Sequence, residues 1–237
     1  VGLLGPDPRG REVLAHARRL GDAVVRRPGS LCSVRGDHVG HRLERTAVVV
    51  GTAMAGDKHY YTALRILYPE IARELGGSPS FQALPEAVRR SILAETRRGV
   101  DELLPPINED TMPGELANII AGRIANLFDF HGPNFVCDAA CASAMAGMTA
   151  AIEGLEEYDY DLVVTGGIDA NMGVPSFIKF CKIGALSATG TRPYHADADG
   201  FVMGEGTAMF LMKRLEDAER DGDHRAFGAT RRLVVDW

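Results

Sequence analysis

Short apolar runs alternate with longer amphipathic stretches along this chain, the pattern of strands separated by helices. Thr46 to Gly51 reads as a buried strand, and Asn134 to Cys137 as the next. Asp161-Leu-Val-Val-Thr-Gly-Gly167 is a strand ending in glycines, and Gly206 to Met212 is another, followed by a helical stretch from Lys213 to Arg220. Between them, Lys58 to Leu75 and Pro85 to Leu104 predict amphipathic helices packed on the sheet. The second opens with a proline in its first turn and closes before Pro105-Pro106. A further helix follows Pro113-Gly114, where Ile119, Ile120, Ile124 and Leu127 recur at three-and-four spacing and mark one apolar face. Residues 8–27 are Arg-rich and periodic enough for a helix that Arg27-Pro-Gly-Ser30 breaks. Strands joined through helices require crossover connections, so the fold class is α/β; no internal repeat is visible.

One segment interrupts the ordinary pattern. Gly132-Pro-Asn-Phe-Val-Cys-Asp-Ala-Ala-Cys-Ala-Ser-Ala-Met145 runs a strand straight into a cysteine that opens a helix of very small residues. From Cys141 to Ile152 there is no charged side chain, and such a helix can be buried on all sides; without a companion half its faces are expected to be left partly uncovered. A thiol in its first turn sits where unpaired backbone N–H groups and the positive end of the macrodipole favour the thiolate. That is one way to present a nucleophile; the competing reading is a buried structural cysteine.

Composition narrows the setting. The 237 residues are 46% hydrophobic and 24% charged, enough to bury a sizeable core as one domain or part of one. A net charge of −6 with no basic patch argues against nucleic acid as a partner. The longest apolar stretches, such as Ala47 to Gly51, are far too short to span a bilayer, and no charged-then-apolar leader opens the chain. The expectation is a cytoplasmic protein with no membrane partner. Four cysteines are then reduced thiols, and the Cys137 to Cys141 spacing is neither a metal knuckle nor a redox pair, so no metal is expected. Gly166-Gly167 reads as a strand-end turn, because no phosphate-cradle motif accompanies it.

Three ordered motifs change the picture. Gly122-Arg-Ile-Ala-Asn-Leu-Phe-Asp-Phe-His-Gly-Pro-Asn134, Asp138-Ala-Ala-Cys141-Ala-Ser-Ala-Met145 and Pro193-Tyr-His-Ala-Asp-Ala-Asp-Gly-Phe-Val-Met-Gly-Glu-Gly206 resemble the successive signatures of β-ketoacyl synthases. The ketosynthase domains of polyketide and polyunsaturated fatty-acid synthases are the nearest in kind, and Glu109-Asp-Thr-Met-Pro-Gly-Glu-Leu-Ala-Asn118 is familiar there. The resemblance covers about residues 46–222; residues 1–45 are a helical lead-in of uncertain assignment, and 223–237 a tail that departs from the family pattern. It implies the thiolase-like fold, layered α-β-α-β-α, in its amino-terminal half only. Cys141 is by this resemblance the acyl acceptor, with its own backbone N–H as one oxyanion donor. No cofactor belongs to the chain itself; phosphopantetheine is carried by the partner, an acyl carrier protein or carrier domain. The complete enzyme is expected to be a homodimer.

The remaining candidates read differently. Asp138 is expected to serve in structural hydrogen bonding, because a carboxylate beside the nucleophile would oppose its ionisation. Cys137 is expected to pack in its strand. Asp197, Asp199 and Glu205 lack calcium-loop spacing, and the resemblance makes them a structural turn at the active-site mouth. His195 stands where the family usually has Asp and reads as a solvated loop residue.

Resembling enzymes also carry a His-Gly-Thr-Gly-Thr motif, a Lys-x-x-x-Gly-His motif and a Gly-Phe-Gly-Gly loop, and these 237 residues contain none of them. The usual opening strand is likewise missing before Val1. The chain therefore reads as half of a ketosynthase, whether fragment, frameshift product or split subunit, and by itself as not competent for condensation. Two other readings are a Cys-His thioester hydrolase using Cys141 with His131 or His195, and a non-catalytic ketosynthase remnant or assembly partner. Retention of Cys141 counts against the last. Acyl-chain specificity, the number of condensations and the accompanying domains are not written in the sequence.

Overall fold

The computed structural model describes residues 43–54, 56 and 58–223, and the backbone of 227–230 and 233–236. The expected helix over 8–27 and the break after it lie outside the described residues. The elements are β1 (Thr46–Gly51), α1 (Lys58–Gly77), α2 (Pro79–Gln82), α3 (Glu86–Leu103), α4 (Thr111–Glu115), α5 (Asn118–Phe128), β2 (Asn134–Cys137), α6 (Ser143–Glu156), β3 (Leu162–Asp169), α7 (Val174–Lys182), β4 (Gly206–Arg214), α8 (Leu215–Asp221), β5 (Phe227–Thr230) and β6 (Leu233–Asp236). They build one six-stranded sheet in the order β2-β1-β3-β4-β6-β5. β1 is parallel to both β2 and β3, whereas β4 runs antiparallel to β3 and to β6.

The sheet is covered on both faces, which explains the unbroken apolar run of β1: all six of its residues are buried. Ala47 and Val49 join Val163 and Met212 in a core with Ala151 and Leu155 of α6. Val48 and Val50 point the other way, into a second core with Ala121 and Ala125 of α5 and with Phe130. This is one α-β-α unit of the layered fold.

α6 is covered along one side and open on the other, the partial uncovering expected of it without a companion half. It buries Ser143, Gly147, Ala151, Gly154 and Leu155, the single stripe that three-and-four spacing lays along the sheet, and leaves Met145 65% exposed. Its small residues serve close approach: a Cβ added at Gly147 would stand 3.2 Å from the Gly51 backbone nitrogen, and one added at Gly51 would stand 2.2 Å from the Ser143 carbonyl oxygen. No side chain fits between backbones at that separation. Gly51→Ala is therefore expected to lower unfolding stability by about 1–3 kcal/mol, as overpacking does, read from denaturant unfolding; an unchanged midpoint would show that α6 can lift away from β1.

α1 and α3 depart from expectation. They contribute nothing to the two cores and instead pair with each other, through the Tyr68 hydroxyl donating to the Leu93 carbonyl (3.1 Å) and Arg65 donating to the Leu104 carbonyl (2.8 Å) and to Asp101 (2.8 Å). α1 buries only Thr62 and Tyr68, and α3 no residue. The helix expected after Pro113-Gly114 is α5, although Leu127, expected on its apolar face, is 64% exposed. α7 and the β5–β6 pair were not expected at all; the tail after residue 223 adds backbone strands to the sheet through β6 and β4.

Candidate active site

The parallel strands bring their carboxyl ends together. Gly51 of β1 is in register with Cys137 of β2 on one side and Gly167 of β3 on the other, and the Thr52 N–H donates to the Cys137 carbonyl at 3.1 Å. The start of α6 lies directly over this row, since a Cβ at Gly167 would meet the Ala144 Cβ at 2.7 Å. Between the end of β2 and the start of α6 the chain makes one tight 3-10 turn, Ala140–Ala142, with Cys141 in its middle. Cys141 is exposed, so the reading of a buried structural cysteine does not hold. It stands just outside the carboxyl ends of parallel strands, where open α/β sheets bind their ligands.

The turn is strained. Ala140 has φ 51°, a left-handed conformation that costs a side-chain-bearing residue about 1–3 kcal/mol. Asp138 accepts the Ala140 N–H at 2.9 Å, and the Ser143 hydroxyl bonds the same turn. Cys137 is partly buried and packs against the α6-side core. Cys181 is exposed on α7; Cys32 lies outside the described residues.

His131 and His195, the two histidines considered with Cys141, are bonded to other partners. His131 precedes β2, and the adjoining Gly132 N–H donates to the carbonyl of Thr46, the first residue of β1. Cys141 lies beyond the opposite end of that strand, about 17 Å away at ~3.3 Å per residue. His131 is held between Asp129 (3.0 Å) and Glu44 (2.9 Å), whose carboxylates raise its pKa, the Asp129 hydrogen bond most. His195 is turned into its own loop, Nδ1 accepting the Asp197 N–H at 3.1 Å. Among the described residues, no histidine hydrogen-bonds the Cys141 thiol.

The loop from Gly184 to Glu205 is closed by a parallel bridge between Leu186 and Phe201 and by Ser187, which donates to Asp199 at 2.6 Å and accepts the Thr189 and Gly190 N–H groups. Asp197 and Glu205 are exposed, and among the described residues no group of three or more acidic, histidine or cysteine side chains is placed to hold a metal ion. Nor does any helix there have the length and apolarity to cross a membrane.

The profile of the family described as "Beta-ketoacyl synthase, N-terminal domain" matches residues 36–218. The chain belongs to the β-ketoacyl synthase family. Relatives of this ketosynthase region include a hybrid PKS-NRPS synthetase from Thermothelomyces thermophilus, 42% identical over 112 residues that make up 47% of this chain and 3% of that protein. Another is a polyunsaturated fatty acid synthase chain from a Thraustochytrium species, 40% identical over 48% of this chain and 4% of the relative. Among solved structures, an oxazolomycin ketosynthase domain from Streptomyces albus is 25% identical, covering 76% of this chain and 25% of that one with a TM-score of 0.53. The matched stretches thus span only a few per cent of the length of the synthases. Fold and family agree with the thiolase-like ketosynthase reading.

Ser143 is the residue that the sequence alone did not single out. Only the φ of its neighbour, two bonds to the turn and burial of its side chain set it apart from the alanines around it.

Proposed function

We propose that this chain is the nucleophile-bearing portion of a polyketide or fatty-acid ketosynthase, and that Cys141 takes the acyl group from a carrier-protein thioester. Exposure of Cys141 on a strained turn, inside a family match that spans residues 36–218, carries the reading. The Cys141 sulfur attacks the thioester carbonyl, the tetrahedral oxyanion collapses, and the carrier thiolate leaves and takes up the proton that Cys141 gave up. The Cys141 backbone N–H supplies one donor to that oxyanion. The carbon–carbon bond then forms when a malonyl thioester loses carbon dioxide and its enolate attacks the acyl-enzyme, a step for which the resembling enzymes use two histidines not present in these 237 residues. A carrier protein or carrier domain bearing phosphopantetheine is the acyl donor, and the complete enzyme is a homodimer; β2, at the sheet edge with Phe135 partly exposed, leaves room for a neighbour. A Cys-His hydrolase would require a histidine at the thiol, and the two candidates, His131 and His195, are hydrogen-bonded to other groups.

The experiment is acylation by an N-acetylcysteamine octanoyl thioester, followed by intact mass and peptide mapping. One adduct on Cys141, absent from Cys141→Ala, is expected. An adduct that persists in Cys141→Ala and maps to Cys181 overturns the assignment.

A further inference from the structure

Three hydrogen bonds converge on the two residues that precede Cys141, Ala139 and Ala140. Asp138 Oδ1 accepts the Ala140 N–H at 2.9 Å. Ser143 Oγ accepts the Ala139 N–H at 2.9 Å and donates to the Ala140 carbonyl at 2.6 Å. Ser143 is 4% exposed, and its backbone is wedged on the other side by Gly51, whereas Asp138 is exposed. A helix-capping side chain accepts an N–H two or three residues further along the helix. Both bonds of Ser143 instead run backward, onto the turn. They brace the residue whose φ is 51°, a conformation that an alanine leaves readily when nothing holds it.

We propose that Ser143 and Asp138 are positioning residues that lock Ala140 in its left-handed conformation and thereby set the direction of the Cys141 thiol and backbone N–H. The proposal rests on Cys141 being the acyl acceptor. Acyl transfer needs sulfur and oxyanion donor aligned on one carbonyl, so a turn that relaxes by an ångström misplaces both. Alkylation by iodoacetamide needs only an accessible thiol. The two reactions therefore separate orientation from exposure.

The full chain and its variants are compared in acylation by the octanoyl thioester, alkylation of Cys141 by iodoacetamide, and thermal melting. Ser143→Ala is expected to slow acylation about ten- to a hundredfold while alkylation is little changed, and Ser143→Thr to keep the acylation rate by keeping the hydroxyl. Ala140→Gly should partly rescue Ser143→Ala, because glycine enters positive φ without the steric cost that the clamp offsets in alanine; the two substitutions then combine non-additively. Asp138→Ala, at an exposed position, should slow acylation severalfold and decides the matter if Ser143→Ala does not fold. Equal acylation in wild type and Ser143→Ala overturns the clamp alone, as do additive effects with Ala140→Gly, a parallel fall in alkylation, or unchanged acylation in Asp138→Ala where Ser143→Ala does not fold. Wild-type chain that is not acylated on Cys141 overturns the assignment of Cys141 and the clamp with it.

Discussion

Replacing Arg214 with methionine is expected to cost the fold about 3–5 kcal/mol, the range for breaking a buried ion pair from one side. Arg214 is 7% exposed at the end of β4, remote from Cys141, and it ties three elements together. Its Nη1 donates to the carbonyls of Leu155 (2.9 Å) at the end of α6 and Tyr160 (2.8 Å) before β3. Nε donates to Asp217 of α8 at 2.5 Å, Nη2 to Asp161, and the guanidinium lies over the Tyr158 ring, 4.2 Å from its centroid. Methionine fills much of the volume but leaves the carboxylate of Asp217, 5% exposed, with the surface Arg220 as its remaining guanidinium partner, and takes the guanidinium donor from the Leu155 and Tyr160 carbonyls, of which Leu155 keeps the Tyr158 N–H. Denaturant unfolding followed by circular dichroism measures the loss. A change below about 1 kcal/mol would mean that water replaces the lost bonds, as at a surface pair.

The same network gives the fold an acid limit. Burial opposes ionisation of Asp161, but hydrogen bonds from Arg45 (2.7 Å) and Arg214 outweigh it, so its folded pKa lies below the ordinary carboxylate value. A depressed folded pKa contributes stability that is present above the unfolded pKa, about 4, and lost as pH falls through the folded value. Melting temperature should therefore drop on acidification below that point, and less steeply in Asp161→Asn. Tyr160, pushed up to about 12 by burial, keeps its proton throughout this range and goes on donating to the Ala150 and Ala151 carbonyls.

What the sequence reveals and what it hides follow from the range of each interaction. β1 is legible because Ala47-Val-Val-Val50 is an apolar run bounded by polar or turn residues, and a strand buried on both faces has no other appearance. α7 is not: Val174-Pro-Ser-Phe-Ile-Lys-Phe-Cys-Lys182 is too short for a stable period and is rich in residues that also favour strands. The four-residue strands β5 and β6 offer two positions per face, too few for an alternation to register. Arg45, Asp161 and Arg214 meet across separations of 116 and 53 residues, which no local pattern encodes. At the site, Cys141 is readable from its setting between a strand and a small-residue helix. Its brace is not, because an alanine at φ 51° looks in sequence like any other alanine.

Acylated on Cys141 and supplied with a malonyl carrier thioester, these 237 residues are expected to release 3-oxoacyl product at least about a thousandfold more slowly than they take up the acyl group. The two steps make different demands. Acyl transfer needs a nucleophile and some stabilisation of an oxyanion, and the turn at Cys141 provides a sulfur and a backbone N–H together. Decarboxylation builds charge on a second thioester as carbon dioxide leaves, and that enolate needs its own donors, placed beyond the acyl carbon. Neither described histidine near a motif is placed to help: His131 lies at the far end of β1, held by Asp129 and Glu44, and His195 bonds within its own loop. Mass spectrometry of the protein and of the small-molecule fraction follows both steps in one incubation. Adduct without product is the expected outcome. Product formed at a rate comparable to acylation, and lost in Cys141→Ala, would mean that the groups around Cys141 stabilise the enolate by themselves, and that nucleophile and histidines do not divide the labour in this way.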